Sequence, residues 1–513
     1  MFSNPADFAR AFVLGCIAVL FYGVAIAIYR LTFHPLAKYP GPFLAKISGI
    51  DNVWWAWKGK RYTNFLKCHE KYGPIYRYGP NLLSFNTSSA LADIYGPKSN
   101  VQKAKFYNAF VQGPPNVFNG IEKKAHTTKR RLISPAFSER ALRSFEDSFL
   151  ENIQKWCSLL KEKGAKETLN MADMSIYLSF DVMGALAFGK PFNMIGGENR
   201  GIVGLIESST LASNCSGSMV SLHNTWFSNL LLRRGNHGQR KEELAQYTME
   251  QAAERSKAGV LSDRKDFFHY LLDAKDSETG EILTLSSLTQ EGITFIIAGS
   301  DTASTTLAGT FFYLARNPDV RAIVREEVRN EFESVEDIRV GPKLNNCVYL
   351  RACIEETLRI TPPVPGALPR EVLRGGTMID GHHIPAGVDV SVAHFAIMHN
   401  PQYYSEPFRY KPERWIMKDD TNERKKRGVS RAEVEKAQSA FCAFSIGPRS
   451  CIGKNMAYME LTLALARVLF LFDFDSGGEL GEGKFEGEDI WDIQDQFIAL
   501  KEGPMIKFTE RTY

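Results

Sequence analysis

No Cys-x-x-Cys pair occurs in this 513-residue chain, and no Cys-x-x-Cys-His segment either. A haem tethered through thioether bonds is therefore excluded. The eight cysteines, at 16, 68, 157, 215, 347, 353, 442 and 451, are scattered and read as reduced thiols in a cytosolic setting. A nucleotide-binding glycine fingerprint is also missing, and the length leaves no room for a fused flavin domain. Repeats and low-complexity tracts are absent. Net charge is small, +4 from 62 Lys and Arg against 58 Asp and Glu, so nucleic acid is not an expected partner. What is present is a globular composition, 44% hydrophobic and 23% charged. Length alone suggests three domains, but no stretch between residues 50 and 500 reads as an interdomain linker.

One long apolar run stands apart at the N-terminus. Ala11 to Tyr29 is uncharged and, as a helix, would span about 28 Å, close to the thickness of a bilayer's hydrocarbon. Arg30, His34, Lys38 and Lys46 follow it, whereas Asp7 and Arg10 nearly cancel on the other side. The positive-inside bias then leaves the main body cytosolic. A cleaved signal peptide is the alternative, but no small-residue cleavage site follows. Tyr39-Pro40-Gly41-Pro42 makes a stiff joint. The resulting division is a short segment 1–10, a transmembrane anchor 11–29, a basic Pro/Gly hinge 30–46 and one large single domain 47–513. Trp226-Phe227, Leu230-Leu231-Leu232 and Arg233-Arg234 suit an element dipping into the membrane interface, or equally a core helix end.

Beyond the anchor the chain reads as mainly α with smaller β-sheets. Gln290 to Ala315 is a long proline-free apolar pattern, expected to be a central buried helix. Strand signals occur at Ile75–Tyr78, Leu82–Asn86 and Val388–Val392. Asp419 to Gln438 is expected to be a solvated loop and short helix. Cys451 closes the run Phe444-Ser445-Ile446-Gly447-Pro448-Arg449-Ser450-Cys451-Ile452-Gly453, ahead of an apolar stretch from Met456 to Phe472. Gly447 and Pro448 can set a sharp turn. A thiolate held at a helix N-terminus is expected to have a lowered pKa. Gly453 lets a flat ligand approach the backbone, and Arg449 offers a cation to an anionic group. One thiolate with an aromatic and an arginine suits haem better than zinc.

This loop resembles the haem-binding signature of the haem-thiolate monooxygenases, the cytochromes P-450, at Phe444, Gly447, Arg449, Cys451 and Gly453. Three further segments are similar to the family's landmarks and stand in its order. They are Ala298-Gly299-Ser300-Asp301-Thr302, Glu356-Thr357-Leu358-Arg359 and Pro412-Glu413-Arg414-Trp415. The resemblance runs from about Pro40 to the C-terminus. It implies the P-450 fold, haem b with Cys451 as the axial iron ligand, and electrons from NADPH through a separate flavoprotein reductase, with cytochrome b5 as a further donor. It also implies an endoplasmic-reticulum location.

Site roles follow from the residues and the resemblance together. Gly299 is expected to open a groove for a diatomic ligand, with Thr302 and Asp301 supplying protons through hydroxyl and carboxylate. Thr305 and Thr306 are expected to bond back to helix carbonyls. Glu356 and Arg359, three apart on one helix, can pair. With Arg414, by resemblance, they brace the fold and have no part in the reaction. Arg449, Arg370 and Arg130 match the positions that hold haem propionates. His126 stands where the family more often has tryptophan.

The distal pocket is expected from Phe106–Phe118, Ile293–Thr302, Thr361–Leu368 and Trp491–Phe497, which are largely apolar and suit an apolar small molecule. The overall sequence is similar to filamentous-fungal members, including the benzoate-hydroxylase-like group and enzymes of terpenoid, polyketide and alkaloid pathways. A haem-thiolate isomerase or dehydratase, which needs no dioxygen, is the competing reading; a non-enzymatic membrane haem protein is another.

Overall fold

The N-terminal apolar run forms helix α1 (Pro5–Ile28), and a wider π-helical turn, Tyr29–Phe33, carries it on. In this computed structural model the described residues are 5–512, except 112, 221–242, 244–245, 247–248, 256, 258–265, 273, 277, 279, 423, 479–483 and 486–487. The expected interfacial element at Trp226–Arg234 lies outside them. Ala9–Phe33 has a mean hydropathy of 2.6 with none of it buried, and is long enough to cross a bilayer. The hinge that follows is fixed by hydrogen bonds as well as by its prolines. Arg30 Nη1 donates to Ile47 O (2.6 Å), Arg77 Nη1 donates to Arg30 O (2.7 Å), and His34 Nε2 meets Asn81 Oδ1 (2.9 Å).

Helices α2 (Phe43–Ile47), α3 (Ile50–Trp57) and α4 (Arg61–Tyr72) lead into the main sheet. Its strands are β1 (Ile75–Gly79), β2 (Leu82–Phe85), β3 (Val101–Lys103), β4 (Arg370–Val372) and β5 (Asp389–Val392), in the order β1-β2-β5-β4-β3. Only β2 and β5 run parallel; the other neighbours are antiparallel. At the β3–β4 edge, Lys103 stands opposite Arg370. The register therefore delivers two cations side by side, which no local pattern announces.

The helical body comprises α5 (Lys123–Ile133), α6 (Met171–Phe188), α7 (Ile202–Met219), α8 (Leu285–Arg316), α9 (Val348–Ile360) and α10 (Lys454–Leu471), among others. α8 is the expected central helix, longer at both ends. Thr284 caps it by accepting from Ser287 N, and Pro318 follows its last turn. α6 is apolar enough to span a membrane, but 89% of it is buried, because it packs lengthwise on α8. The polar run after Asp419 ends in the helix Arg431–Ala440, started by a reciprocal Ser430/Glu433 cap. Last, the hairpin β6 (Gln494–Gln496) and β7 (Ile498–Leu500) turns at Phe497.

Candidate haem site and substrate cavity

Local backbone chemistry places Cys451. The loop closes through Ser445 N to Cys442 O (2.7 Å) and Cys451 N to Phe444 O (2.9 Å). Gly447 has φ +71°, and a Cβ there would lie 2.1 Å from Tyr95 O, so only glycine fits. Gly453 caps α10, two residues beyond the thiol. Cys451 keeps accessible surface and lines a cavity of about 330 Å³. Burial pushes the thiol pKa up, against the Gly453 N–H, Arg130 and Lys454. The expected lowering at the helix end is thus outweighed by desolvation. Cys442, the neighbouring thiol, is buried elsewhere and does not line the cavity.

Phe444, Arg449, Arg130, Arg370 and His126 all line this cavity, and Lys103 joins them. Their N–H groups are satisfied by neutral acceptors. Arg449 donates to Gly120 O and Ile121 O (2.5 and 2.9 Å), Arg130 to Ser450 O (2.6 Å), Arg370 to Tyr107 Oη (3.2 Å), and Lys103 to Phe118 O. Carbonyls and a phenol satisfy donors but neutralise no charge. Burial and the neighbouring arginines press Lys103 well below its usual range. His126 falls to about 3 for the same reasons, burial first, and stays neutral. Among the described residues the one lining carboxyl is Glu460, which burial pushes up to about 7. A wall of like charges without counter-charge is costly unless an anion binds.

The donor set fits haem. Among the described residues no group of three His, Cys, Asp or Glu could hold a metal ion, so a lone thiolate needs a macrocycle to complete the coordination. Two propionates would meet the cations of Arg130, Arg370, Arg449 and Lys103. A Cβ on Gly453 would come no closer than 3.9 Å to its neighbours, Cys451 Sγ among them, so the glycine adds open space on the cavity side.

Across the cavity, α8 presents Ala298 and Thr302. Thr302 Oγ1 donates to Ala298 O (2.6 Å), which leaves its lone pairs to accept from a ligand. Thr305 and Thr306 bond back to Asp301 O and Thr302 O, as their pattern suggests. Two neighbours of Thr302 have surroundings that the motif does not announce. A Cβ on Gly299 would lie 2.6 Å from Met183 Sδ, so the missing side chain admits Met183 of α6 and does not itself open the groove. Asp301 does not line the cavity. It is buried, and its Oδ1 takes a 2.6 Å bond from Lys501 Nζ, because the next position on the helix faces away from Thr302.

The brace forms as the spacing implies. Arg359 Nε and Nη2 donate to Glu356 Oε2 and Oε1 (2.9 and 2.8 Å), and Arg414 Nε to Oε1 (3.0 Å). Trp415 Nε1 and the Lys411 amide add two more donors.

All four expected pocket segments reach the cavity, with Phe110, Phe118 and Phe497 forming a cage at centroid separations of 5.0–5.5 Å. Trp491 itself does not line it, being stacked on Phe312 in the core. Sequence reasoning missed α7, which contributes Ser209, Thr210 and Ser213 to the lining, as α8 contributes Gln290 and Thr294. Its small hydroxyls carry no motif.

Comparison with known proteins agrees with this geometry. The family profile described as Cytochrome P-450 matches residues 38–490. Cytochrome P-450 monooxygenase atnE of Emericella nidulans is 36% identical over 99% of this chain and 98% of its own. Cytochrome P-450 monooxygenase poxM of Penicillium oxalicum is 38% identical, covering 95% and 92%. The fold is shared with the heme domain of cytochrome P450DA, TM-score 0.69 at 20% identity, over 88% of this chain and 93% of that one. A thiolate loop, a cationic wall and full-length relatives together place the chain in the cytochrome P-450 family, as a haem-thiolate monooxygenase supplied by a redox partner.

Proposed function

We propose that this monooxygenase inserts one oxygen atom into an apolar small molecule as a tailoring step of fungal secondary metabolism, in terpenoid, polyketide or alkaloid chemistry. The carrying observation is the cavity, lined by the cage of Phe110, Phe118 and Phe497, by Thr302 and by the hydroxyls of Ser209, Thr210 and Ser213. Such a lining selects by shape and burial and orients with few polar contacts. Haem, when bound, supplies the activation of dioxygen. In this reading Cys451 holds the iron, Arg130, Arg370, Arg449 and Lys103 hold the propionates, and neutral His126 donates a hydrogen bond. Thr302 Oγ1, its proton engaged by Ala298 O, would offer an acceptor to the cavity and order a water that brings protons. Asp301 relays protons from the Lys501 side, and Glu356, Arg359 and Arg414 act only in folding and haem retention.

Electrons would come from an NADPH-dependent flavoprotein reductase, with cytochrome b5 as a second donor. The anchor at 11–29 and the basic hinge would hold domain 47–513 on the cytosolic face of the endoplasmic reticulum. The deciding experiment compares metabolites of a knockout with its parent. The accumulating compound is then incubated with the purified protein, with and without reductase, NADPH and dioxygen. Product that requires all three supports the reading; turnover without them establishes an isomerase or dehydratase instead.

A further inference from the structure

Gln290 and Asn116 line the cavity while only 8% and 6% exposed, and each keeps hydrogen-bonding capacity with no partner among the described residues. Gln290 engages neither end of its side-chain amide. Asn116 Oδ1 accepts from the Phe118 and Asn119 amides (3.0 and 2.8 Å), which fixes the side chain and leaves Nδ2 without an acceptor. Buried amide groups are costly to leave unsatisfied, so these two call for a ligand. The fold holds them close together. Val117, next to Asn116, donates its amide to both oxygens of Glu291, next to Gln290. Gly113 completes the niche, since a Cβ there would lie 2.9 Å from Gln290 Nε2. Toward Thr302 the lining changes character. Thr294 Oγ1 donates to Gln290 O (2.9 Å), and α8 then lines the cavity with Phe295, Ile297, Ala298 and Gly299. Gln290 and Thr302 are a little over three helical turns apart, about 18 Å along the axis.

We propose that the substrate is an elongated, mostly apolar molecule with a neutral amide at the end remote from the oxidised carbon, and that Gln290 and Asn116 hold this amide. The inference rests on the reading of the cavity as that of a monooxygenase for apolar small molecules. Gln290 offers a donor and an acceptor side by side, which an amide matches with its carbonyl and its N–H. Asn116 Nδ2 supplies a second donor for the carbonyl's other lone pair. A carboxylate would enter without counter-charge, because Lys129 is already paired with Glu291 (3.3 Å) and the lining cations are taken by the propionates in that reading. A bare hydrocarbon would leave both amides unsatisfied. With the head fixed, the length of chain between amide and Thr302 selects the carbon presented for oxidation.

Straight-chain primary carboxamides of eight and fourteen carbons, with the matched alkanes and carboxylic acids, are titrated into the haem-loaded full chain in detergent micelles. The haem absorption shift on ligand entry gives each affinity. The fourteen-carbon amide should bind about tenfold tighter than its alkane and its acid. The eight-carbon amide should show no such advantage, since it cannot reach Gln290 and the haem together. Gln290→Met keeps the length and removes both hydrogen-bonding atoms, so it should erase the advantage and leave the alkane's affinity unchanged. Asn116→Asp keeps the acceptor that the Phe118 and Asn119 amides need and removes the donor. It should weaken the long amide in the same way, and it carries the test if Gln290→Met fails to load haem. An advantage already present at eight carbons, or one that persists in either haem-loaded variant, overturns the niche. Equal weakening of amide and alkane does so too, because the residues then only pack. An acid that binds as tightly as the amide overturns the neutral class. Alkane binding with no amide advantage overturns the head group alone, whereas no shift with any ligand overturns the apolar-substrate reading beneath it.

Discussion

Glu356 and Glu291 both have fully buried side chains, on helices that flank the same cavity, yet their surroundings differ in the number of donors. Glu356 meets two guanidiniums, an indole N–H and a backbone amide. Burial alone would raise its pKa, but Arg359, Arg414 and the hydrogen bonds hold it below the usual carboxylate range. Glu291, in α8, has the Val117 amide, 3.1 Å from both oxygens, and Lys129 Nζ at 3.3 Å. There burial wins and pushes the carboxyl up to about 7. One side of the cavity is thus braced by a permanent charge. On the other, a carboxyl that titrates near neutrality holds the loop carrying Phe118.

The largest expected effect tests whether the braced side ends in a thiolate on iron. Cys451→Ala or Cys451→His should abolish the red-shifted Soret band of the ferrous–carbon monoxide complex, since neither residue pushes comparable electron density onto iron. A band that survives in Cys451→Ala would assign ligation to another thiol, Cys442 being the nearest in sequence. Next comes the brace. Glu356→Gln leaves two buried guanidiniums facing a neutral amide, a loss of about 3–5 kcal/mol. The haem-loaded fraction of purified protein, read from the same band per unit protein, should collapse. Loading equal to wild type would make the network ornamental.

Thr302 tests the opposite wall, where polar groups act on the ligand. Thr302→Ala should bind haem and apolar ligands almost normally and keep consuming NADPH. Product should fall about 100-fold while hydrogen peroxide rises, as expected when positioned proton delivery is lost. Serine restores the hydroxyl and should recover much of the coupling; valine keeps the shape and should behave like alanine. Should valine couple like the wild type, Thr302 only packs the helix.

The same asymmetry explains what the sequence disclosed. The Cys451 loop and the Glu356–Arg359 pair are built from residues close in sequence, with spacing set by one turn or one helix, so their partners could be named in advance, whereas Arg414, far along the chain, came only from the resemblance. Lys103 escaped because it reaches the cavity through the pairing of β3 with β4, and those strands are some 270 residues apart (103 against 370). Ser209 and Ser213 escaped because small hydroxyls on a helix look alike whether or not a cavity lies beside them. Gly299 and Asp301 were assigned from the motif around Thr302, but their surroundings come from α6 and from Lys501, which local spacing does not reveal.

The smallest effect concerns Glu291 and sharpens the contrast directly. Its carboxyl goes from an ordinary value near 4.5 in the unfolded chain to about 7 when folded, so the folded state binds more protons between those values. Stability from this group is therefore full below pH about 4.5 and is lost as pH rises through about 7. The attraction of Lys129 is already contained in the folded value, so it does not reverse the sign. Glu291→Gln keeps an acceptor for the Val117 amide and removes the titration. Thermal midpoints of haem-loaded wild type and variant, measured from pH 5 to 8, should diverge, with the variant gaining relative to wild type as pH rises. Other buried carboxyls raised in the same way, Asp389 and Glu460 to about 7 each, are common to both proteins and cancel in the difference. Glu356→Gln should show no such relative gain, because its folded pKa is depressed and its charge is part of the brace. A pH-independent gap for Glu291→Gln would mean that Lys129 and Val117 keep Glu291 ionised in the folded state, as the arginines do for Glu356.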